Sequence, residues 1–306
     1  MQAAVEIPVL QWQSATLDAC ARYRALKLVA PAADYAAANL YMWDKKYPKE
    51  IAFFKGRAAV RLSLKNGEYR YLFPVGEGDV FPVLAALEKE SAARGDALHF
   101  VGVSEAELSA LVSQWGEKLQ YEETRDWADY LYDAEKLSTL SGKKLHSKRN
   151  HINAFCAAHD WHVEPLVPER FEDCLEILAA WQKGKEALSE EGSAIERGLA
   201  AWKALSLDGI LLYADGEPAA FAIGSRVTKE CFCVHFEKAT PDFEGAYPLI
   251  NRELVRAMRE KYPEITTINR EEDMGLENLR AAKLSWRPVS LLVKYEARIA
   301  AELLNS

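Results

Sequence analysis

Between Cys231 and Lys238 the chain alternates the apolar residues Phe232, Val234 and Phe236 with Cys233, His235 and Glu237. At the two-residue period of a strand the first three share one face and the second three the other, so His235 and Glu237 are expected to point the same way. An imidazole beside a carboxylate can take the proton that an attacking amine must lose. The same two groups can also satisfy each other at a strand end with no chemistry. A second group is Asn269-Arg270-Glu271-Glu272-Asp273. Here Glu271 and Asp273 are further candidate bases, and Asn269 and Arg270 are polar groups for a substrate. On the helix after it, Leu276, Leu279 and Lys283 project to one side with Arg280 at its edge, so a lysine lies along the apolar stripe. Its ammonium either snorkels past the core to solvent or meets an anion.

The third group is Ser138 to Cys156, S-T-L-S-G-K-K-L-H-S-K-R-N-H-I-N-A-F-C. At about 100° per residue Leu145, Ile152, Phe155 and Cys156 form one apolar stripe, which predicts an amphipathic helix. His146, Arg149, Asn150 and Asn153 make one polar flank, and Lys144, Lys148 and His151 the other. No Asp or Glu lies between Leu140 and His159, although the chain has 46 acidic against 38 basic residues. Such a run is either a solvated face or a seat for an anion. Asn150 and Asn153 in mid-helix cost about a few tenths of a kcal/mol each unless their amides are used. As an anion seat, the contacts are Lys143, Lys144, His146, Lys148, Arg149, Asn150 and Asn153.

The segment L-S-G-K-K-L-H-S-K-R-N-H-I-N-A-F resembles the signature of the phosphatidylglycerol lysyltransferase C-terminal domain family. Thr267 to Pro288, T-I-N-R-E-E-D-M-G-L-E-N-L-R-A-A-K-L-S-W-R-P, resembles that family's C-terminal motif, and Asn39-Leu40-Tyr41-Met42-Trp43 its N-terminal one. The resemblance implies an α/β chain of two tandem Gcn5-related acyltransferase-like domains, each a mixed sheet flanked by helices, as in the related Fem-type aminoacyltransferases. Residues 1–136 would be a scaffold, and 137–306, opening with the basic helix 140–158, would carry the chemistry. The implied activity is transfer of an aminoacyl group from aminoacyl-tRNA to an amine or hydroxyl, with no cofactor beyond the co-substrate. Glu237 with His235 would be the base, and Lys283 with Arg280 would reach a phosphate, a carboxylate or the oxyanion of the tetrahedral intermediate. Two alternatives stay open: an acyl-CoA dependent N-acyltransferase, and a non-catalytic RNA-binding module of the same fold. The first needs a pyrophosphate turn, and Pro241 to Ala246 offers one glycine with two acids.

The elements that would position these groups recur in two halves. Helices are expected over Thr16–Leu28 and Ala32–Trp43, then strands over Ile51–Phe54, Ala58–Leu64 and Tyr69–Phe73, with Asn66-Gly67 as a hairpin turn. Asp79 should cap a helix to about Arg94, and Ser104 with Glu107 should form a capping box between the strands Ala97–Val101 and Trp127–Tyr132. The glycine turn Pro74 to Asp79 carries Glu77 and Asp79, which would repel a phosphate, so the donor is expected in the second half alone. There the strand Trp161–Leu166, the helix Pro168–Gln182, a glycine-bearing loop and the helix Ala194–Leu205 precede a second meander: Ile210–Ala214, Ala219–Val227 and Cys231–Lys238. The helix Tyr247–Lys261, strand Ile265–Asn269, helix Leu276–Leu284 and strand Val289–Tyr295 complete it.

At 306 residues and 49% hydrophobic the chain can bury two cores. No window approaches about 18 uninterrupted apolar residues, and Met1 to Gln13 lacks a leader pattern, so a soluble cytoplasmic protein is expected. The net charge of -8 argues against wholesale coating by nucleic acid or an anionic membrane, so a polyanion must meet a local patch. A peptide, a peptidoglycan precursor or a small amine is therefore as fitting an acceptor as a lipid. Cys20, Cys156, Cys174, Cys231 and Cys233 form no metal or disulfide pattern along the chain, so reduced cysteines and no metal are expected.

Overall fold

The computed structural model describes residues 7–183 and 189–304, which form two compact units. The first contains β1 (Gln13–Ser14), α1 (Leu17–Arg24), α2 (Ala37–Met42), β2 (Lys49–Phe54), β3 (Arg57–Ser63), β4 (Tyr69–Gly76), α3 (Phe81–Arg94), β5 (Leu98–Val103), α4 (Glu105–Trp115) and β6 (Gln120–Glu123). Local chemistry sets many of these limits. Asn66-Gly67, with Gly67 at φ +84°, turns β3 into β4. Glu107 accepts from the Ser104 N–H at 2.7 Å to close the capping box of α4.

The second unit holds β7 (Asp129–Asp133), α5 (Ala134–Thr139), α6 (His146–Ala158), β8 (Trp161–Pro165), α7 (Phe171–Gln182), α8 (Ser189–Ala200), α9 (Trp202–Leu205), β9 (Asp208–Ala214), β10 (Glu217–Arg226), β11 (Cys231–Ala239), α10 (Ala246–Lys261), β12 (Thr267–Asn269), α11 (Glu277–Ser285) and β13 (Ser290–Leu292). The chain then adds β14 (Tyr295–Ile299) and α12 (Ala301–Leu304) to the first unit.

The sheets run β1-β2-β3-β4-β5-β14-β6 and β13-β7-β12-β11-β10-β9-β8. Each opens with an antiparallel meander and then makes one parallel pairing, β4 with β5 and β11 with β12. The expected pair of mixed sheets flanked by helices is what the structure has. No helix of the described residues is long and apolar enough to cross a membrane.

The domain limit expected at 136/137 moves to 129/130, and the last residues change unit. Tyr130 and Tyr132 on β7 are buried in the second core, and β7 pairs with β12. Ala297 and Ile299 on β14 lie in the first core, and β14 pairs with both β5 and β6. The single strand expected over Val289–Tyr295 is therefore two, in different sheets. Lys294, just before β14 in the first unit, is fully buried and is held at 2.6 Å by Asp129 and also by Asp34. The helix expected over Ala32–Trp43 breaks into a turn of 3-10 helix, Ala33–Tyr35, and α2, because Ala36 is extended. The basic helix expected over 140–158 begins as a 3-10 turn, Lys143–Leu145, and becomes α6 only at His146. The glycine-bearing loop expected after Gln182 falls partly on residues 184–188, outside the described residues, and Gly192 lies within α8.

In the second unit α10 covers one face of the meander and α7 the other. Leu145, Ile152 and Phe155 of the basic segment share the buried cluster of Leu249, Ile250 and Leu254 on α10, as the apolar stripe requires. Gly245 makes this approach possible. It sits at φ +94° and a Cβ there would lie 2.9 Å from the His151 carbonyl. Gly245→Ala should lower stability by roughly 1–3 kcal/mol, seen as an earlier urea midpoint, from the left-handed backbone and the clash together.

Candidate active site

β11 and β12 pair only over Cys231–Cys233 and Thr267–Asn269. β11 runs on to Ala239, while the chain beyond Asn269 turns through two left-handed residues, Glu271 at φ +56° and Met274 at φ +53°. Neither is a glycine, so tertiary bonds must hold this backbone. The Glu271 N–H donates to Asn269 Oδ1 at 2.7 Å, and its carbonyl accepts from Tyr130 N–H at 3.1 Å. Asn269 thus shapes the loop rather than facing a substrate.

The expected shared face of His235 and Glu237 is not there. Ile223 pairs with Phe236 and Gly224 with Val234, so His235 is the extra residue of a β-bulge and the alternation changes phase. Phe232, Val234 and Ala239 join the core beneath α10, and Glu237, opposite Ala222, lies on that side. Cys233 lies on the other, opposite Ser225, and His235 bonds Ser225 there. A Cβ on Gly224 would run into the Cys233 carbonyl and the Phe232 ring, so the bulge needs glycine there.

On the α7 side three groups form a chain. Glu271 Oε1 lies 2.9 Å from His235 Nδ1, and His235 Nε2 lies 2.8 Å from Ser225 Oγ. A carboxylate only accepts, so Nδ1 donates to Glu271, and in the neutral ring Nε2 then accepts from the Ser225 hydroxyl. The His235 side chain is fully buried and that of Glu271 is 20% exposed, so the carboxylate is the member a substrate can touch. Cys233 Sγ lies 3.7 Å from the same Oε1. Cys233, His235 and Glu271 place a sulfur, a nitrogen and an oxygen within 4.8 Å of one another, a donor set zinc accepts, although no spacing along the chain announces it.

On the α10 side Glu237 is bonded twice. Arg270 Nη2 donates to Oε1 at 3.0 Å and Asn251 Nδ2 to Oε2 at 2.9 Å. The Arg270 guanidinium lies 5.3 Å from the Trp286 ring and 5.8 Å from that of Tyr132. Lys148 Nζ lies 4.7 Å from the same Trp286 ring. Burial and then the nearby Arg270 lower the Lys148 pKa, partly offset by Glu237.

Asp273, Arg280 and Lys283 are framework here. Asp273 is buried, takes Arg280 at 2.9 and 2.8 Å, the Tyr130 hydroxyl and the Gly275 N–H, and its carboxyl is held well below the ordinary range by Arg280 against the cost of burial. A group so held makes a poor base. Arg280 is correspondingly engaged, not turned to a donor phosphate. Lys283 donates to the carbonyls of Arg270 and Glu272 and lies over the Tyr130 ring, which ties α11 to the loop rather than supplying an oxyanion donor.

Along α6, Arg149 turns back to the carbonyls of Leu140 and Gly142, and His146 lies 3.2 Å from Asn150. Lys143, Lys144, His146, Asn150, His151 and Asn153 are exposed. Among the described residues no carboxylate lies within ion-pair distance of Lys143, Lys144 or Lys148, and Glu237 acts on Lys148 only at longer range. In the first unit the turn at Gly76 and Gly78 is closed by Arg57, which donates to the Pro74 and Gly78 carbonyls.

Ser225, Asn251, Trp286 and Tyr130 had no weight in the sequence. Of these only Asn251 left a signal, an amide on the apolar stripe of α10 between Ile250 and Leu254.

A family model described as phosphatidylglycerol lysyltransferase, C-terminal, matches residues 26–298. The chain is similar to a conserved protein of unknown function from Bacteroides thetaiotaomicron, whose crystal structure is 33% identical, with a TM-score of 0.88 over 95% of this chain and 99% of that one. It is similar in fold to the structure of L-PGS from Bacillus licheniformis, at 16% identity and a TM-score of 0.64 over 92% of this chain and 90% of that one. An uncharacterized protein of Mycoplasmoides gallisepticum is 23% identical over 212 residues, 66% of this chain, and the chain spans 65% of that relative's length.

Proposed function

We propose that this chain, which belongs to the phosphatidylglycerol lysyltransferase C-terminal family, moves an aminoacyl group from aminoacyl-tRNA to a hydroxyl or amine acceptor. The observation that carries the reading is the Glu271–His235–Ser225 chain where β11 and β12 part, with the acid-free basic helix α6 in the same unit. Ligands of open sheets sit beyond the carboxyl ends of parallel strands, where Glu271 lies.

In this reading Glu271 takes the acceptor's proton as its oxygen or nitrogen attacks the ester carbonyl. His235 is a positioning residue, holding the carboxylate by one hydrogen bond while Ser225 holds the ring. The new ester or amide bond forms, the ester bond to the terminal ribose breaks, and the ribose hydroxyl leaves with a proton. An acyl-CoA donor has less support, because Gly245 before α10 is packed against His151 and Phe155.

The test is transfer of label from aminoacyl-tRNA into a panel of acceptors, with uncharged tRNA and labelled acyl-CoA run separately. Label moving from acyl-CoA alone would replace the reading. Replacing Lys143, Lys144 and Lys148 by Gln should weaken tRNA binding and flatten its log-log salt dependence by about one unit per lost phosphate contact. Arg149 is left in place because it holds the turn before α6. An unchanged salt slope in the folded variant would remove α6 from the interface.

A further inference from the structure

Among the described residues Asn251 Oδ1 and Arg270 Nη1 are buried without a hydrogen-bond partner, and both belong to the side chains that hold Glu237. Asn251 has no exposed surface at all. A buried polar atom left unmade costs about 1–3 kcal/mol, and a leucine at 251 would have continued the apolar stripe of α10 without that cost. The two atoms have opposite characters, one a carbonyl acceptor and the other an N–H donor.

The surrounding charges decide what could satisfy them. Glu237 is balanced by Arg270, which leaves the half-buried Lys148 ammonium over Trp286 as surplus positive charge. A surplus cation beside a spare N–H suits an anionic oxygen, and a spare acceptor beside a carboxylate suits a hydroxyl. Lys148 also belongs to α6, just after the exposed Lys143 and Lys144. An anion seated here can thus be the end of a longer polyanion.

We propose that Lys148, Arg270, Asn251 and Glu237 seat the 3′-terminal nucleotide of an RNA donor, its phosphodiester on Lys148 and Arg270 and its free ribose hydroxyl on Asn251 Oδ1. The inference rests on the reading of the donor as aminoacyl-tRNA. It adds which part of the RNA is read and by which atoms. Since both spare atoms are shielded, binding includes a rearrangement of the side chains that cover them. A hydroxyl contact of this kind distinguishes ribose from a sugar lacking it, whereas phosphate contacts do not.

The experiment uses the full chain and two minihelix RNAs with single-stranded 3′ ends, one ending in an ordinary ribose and one in a 2′,3′-dideoxynucleotide, followed by fluorescence anisotropy. The wild-type protein should bind the ribose end about 10-fold tighter, the discrimination expected of one buried hydrogen bond. Asn251→Leu should erase that preference, and Lys148→Gln should weaken both RNAs alike. Equal binding of the two RNAs by the wild-type chain overturns the seat and leaves the RNA donor standing. No binding of either RNA overturns both, and binding to phosphatidylglycerol vesicles in its place would assign the seat to a phosphoglycerol headgroup. The wild-type comparison needs no variant, so a folding defect in Asn251→Leu does not blunt the test.

Discussion

Glu271→Gln should lower turnover by about 100-fold or more while leaving RNA affinity within about twofold, because the amide keeps the shape and cannot take a proton. Glutamine can still accept from His235 Nδ1–H through its carbonyl, so the geometry of the 2.9 Å bond survives. The acid limb of the turnover profile should flatten with it. His235→Gln should reduce turnover less than Glu271→Gln and leave the acid limb in place, since it removes the orientation of the base and not the base. Glu237→Gln, at the residue the sequence suggests as the base, should retain the acid limb, because Glu237 lies across the sheet from His235 with Arg270 and Asn251. Wild-type turnover in Glu271→Gln would take proton transfer away from this loop altogether.

Asp273→Asn should cost about 3–5 kcal/mol of stability at neutral pH, read as a shift of the urea midpoint with an unchanged slope. The carboxylate is buried, pairs with the half-buried Arg280 and accepts from Tyr130 and Gly275 as well, so neutralising it leaves the guanidinium without its counter-charge and weakens the bonds that hold the loop. Its folded-state pKa is depressed, so the stabilisation is fully present above the unfolded value of about 3.9 and is lost as pH falls below that toward the depressed value. The gap between wild type and Asp273→Asn should therefore hold from pH 7 to about pH 5 and narrow below about pH 4. Equal midpoints at pH 7 would show that the pair does not hold the loop. Turnover should fall in the variant only to the extent that Glu271, two residues away, loses its place.

Most of the elements were legible in the sequence because these are set by neighbours within a few residues. Asn66-Gly67 supplies the turn, Ser104 and Glu107 close a cap within one turn, and Leu145, Ile152 and Phe155 bury one stripe of α6. The absence of acids across α6 is likewise a property of the sequence. Tertiary structure alone decided the site. Period-two alternation joined His235 to Glu237, and a single extra residue, forced where Gly224 meets β11, sent them to opposite faces. The chain Ser225–His235–Glu271 is drawn from three segments, and no spacing along the sequence encodes a bond between residues 36 positions apart. Asp273 and Lys283 were right in type for chemistry and were taken up by Arg280 and by the carbonyls of Arg270 and Glu272. Donors and acceptors of one residue type are interchangeable in sequence, and only packing determines which of them are already satisfied. The same holds for β14, whose alternation fits either sheet. The burial of Lys294 between Asp129 and Asp34 and the pairing with β5 place it in the first.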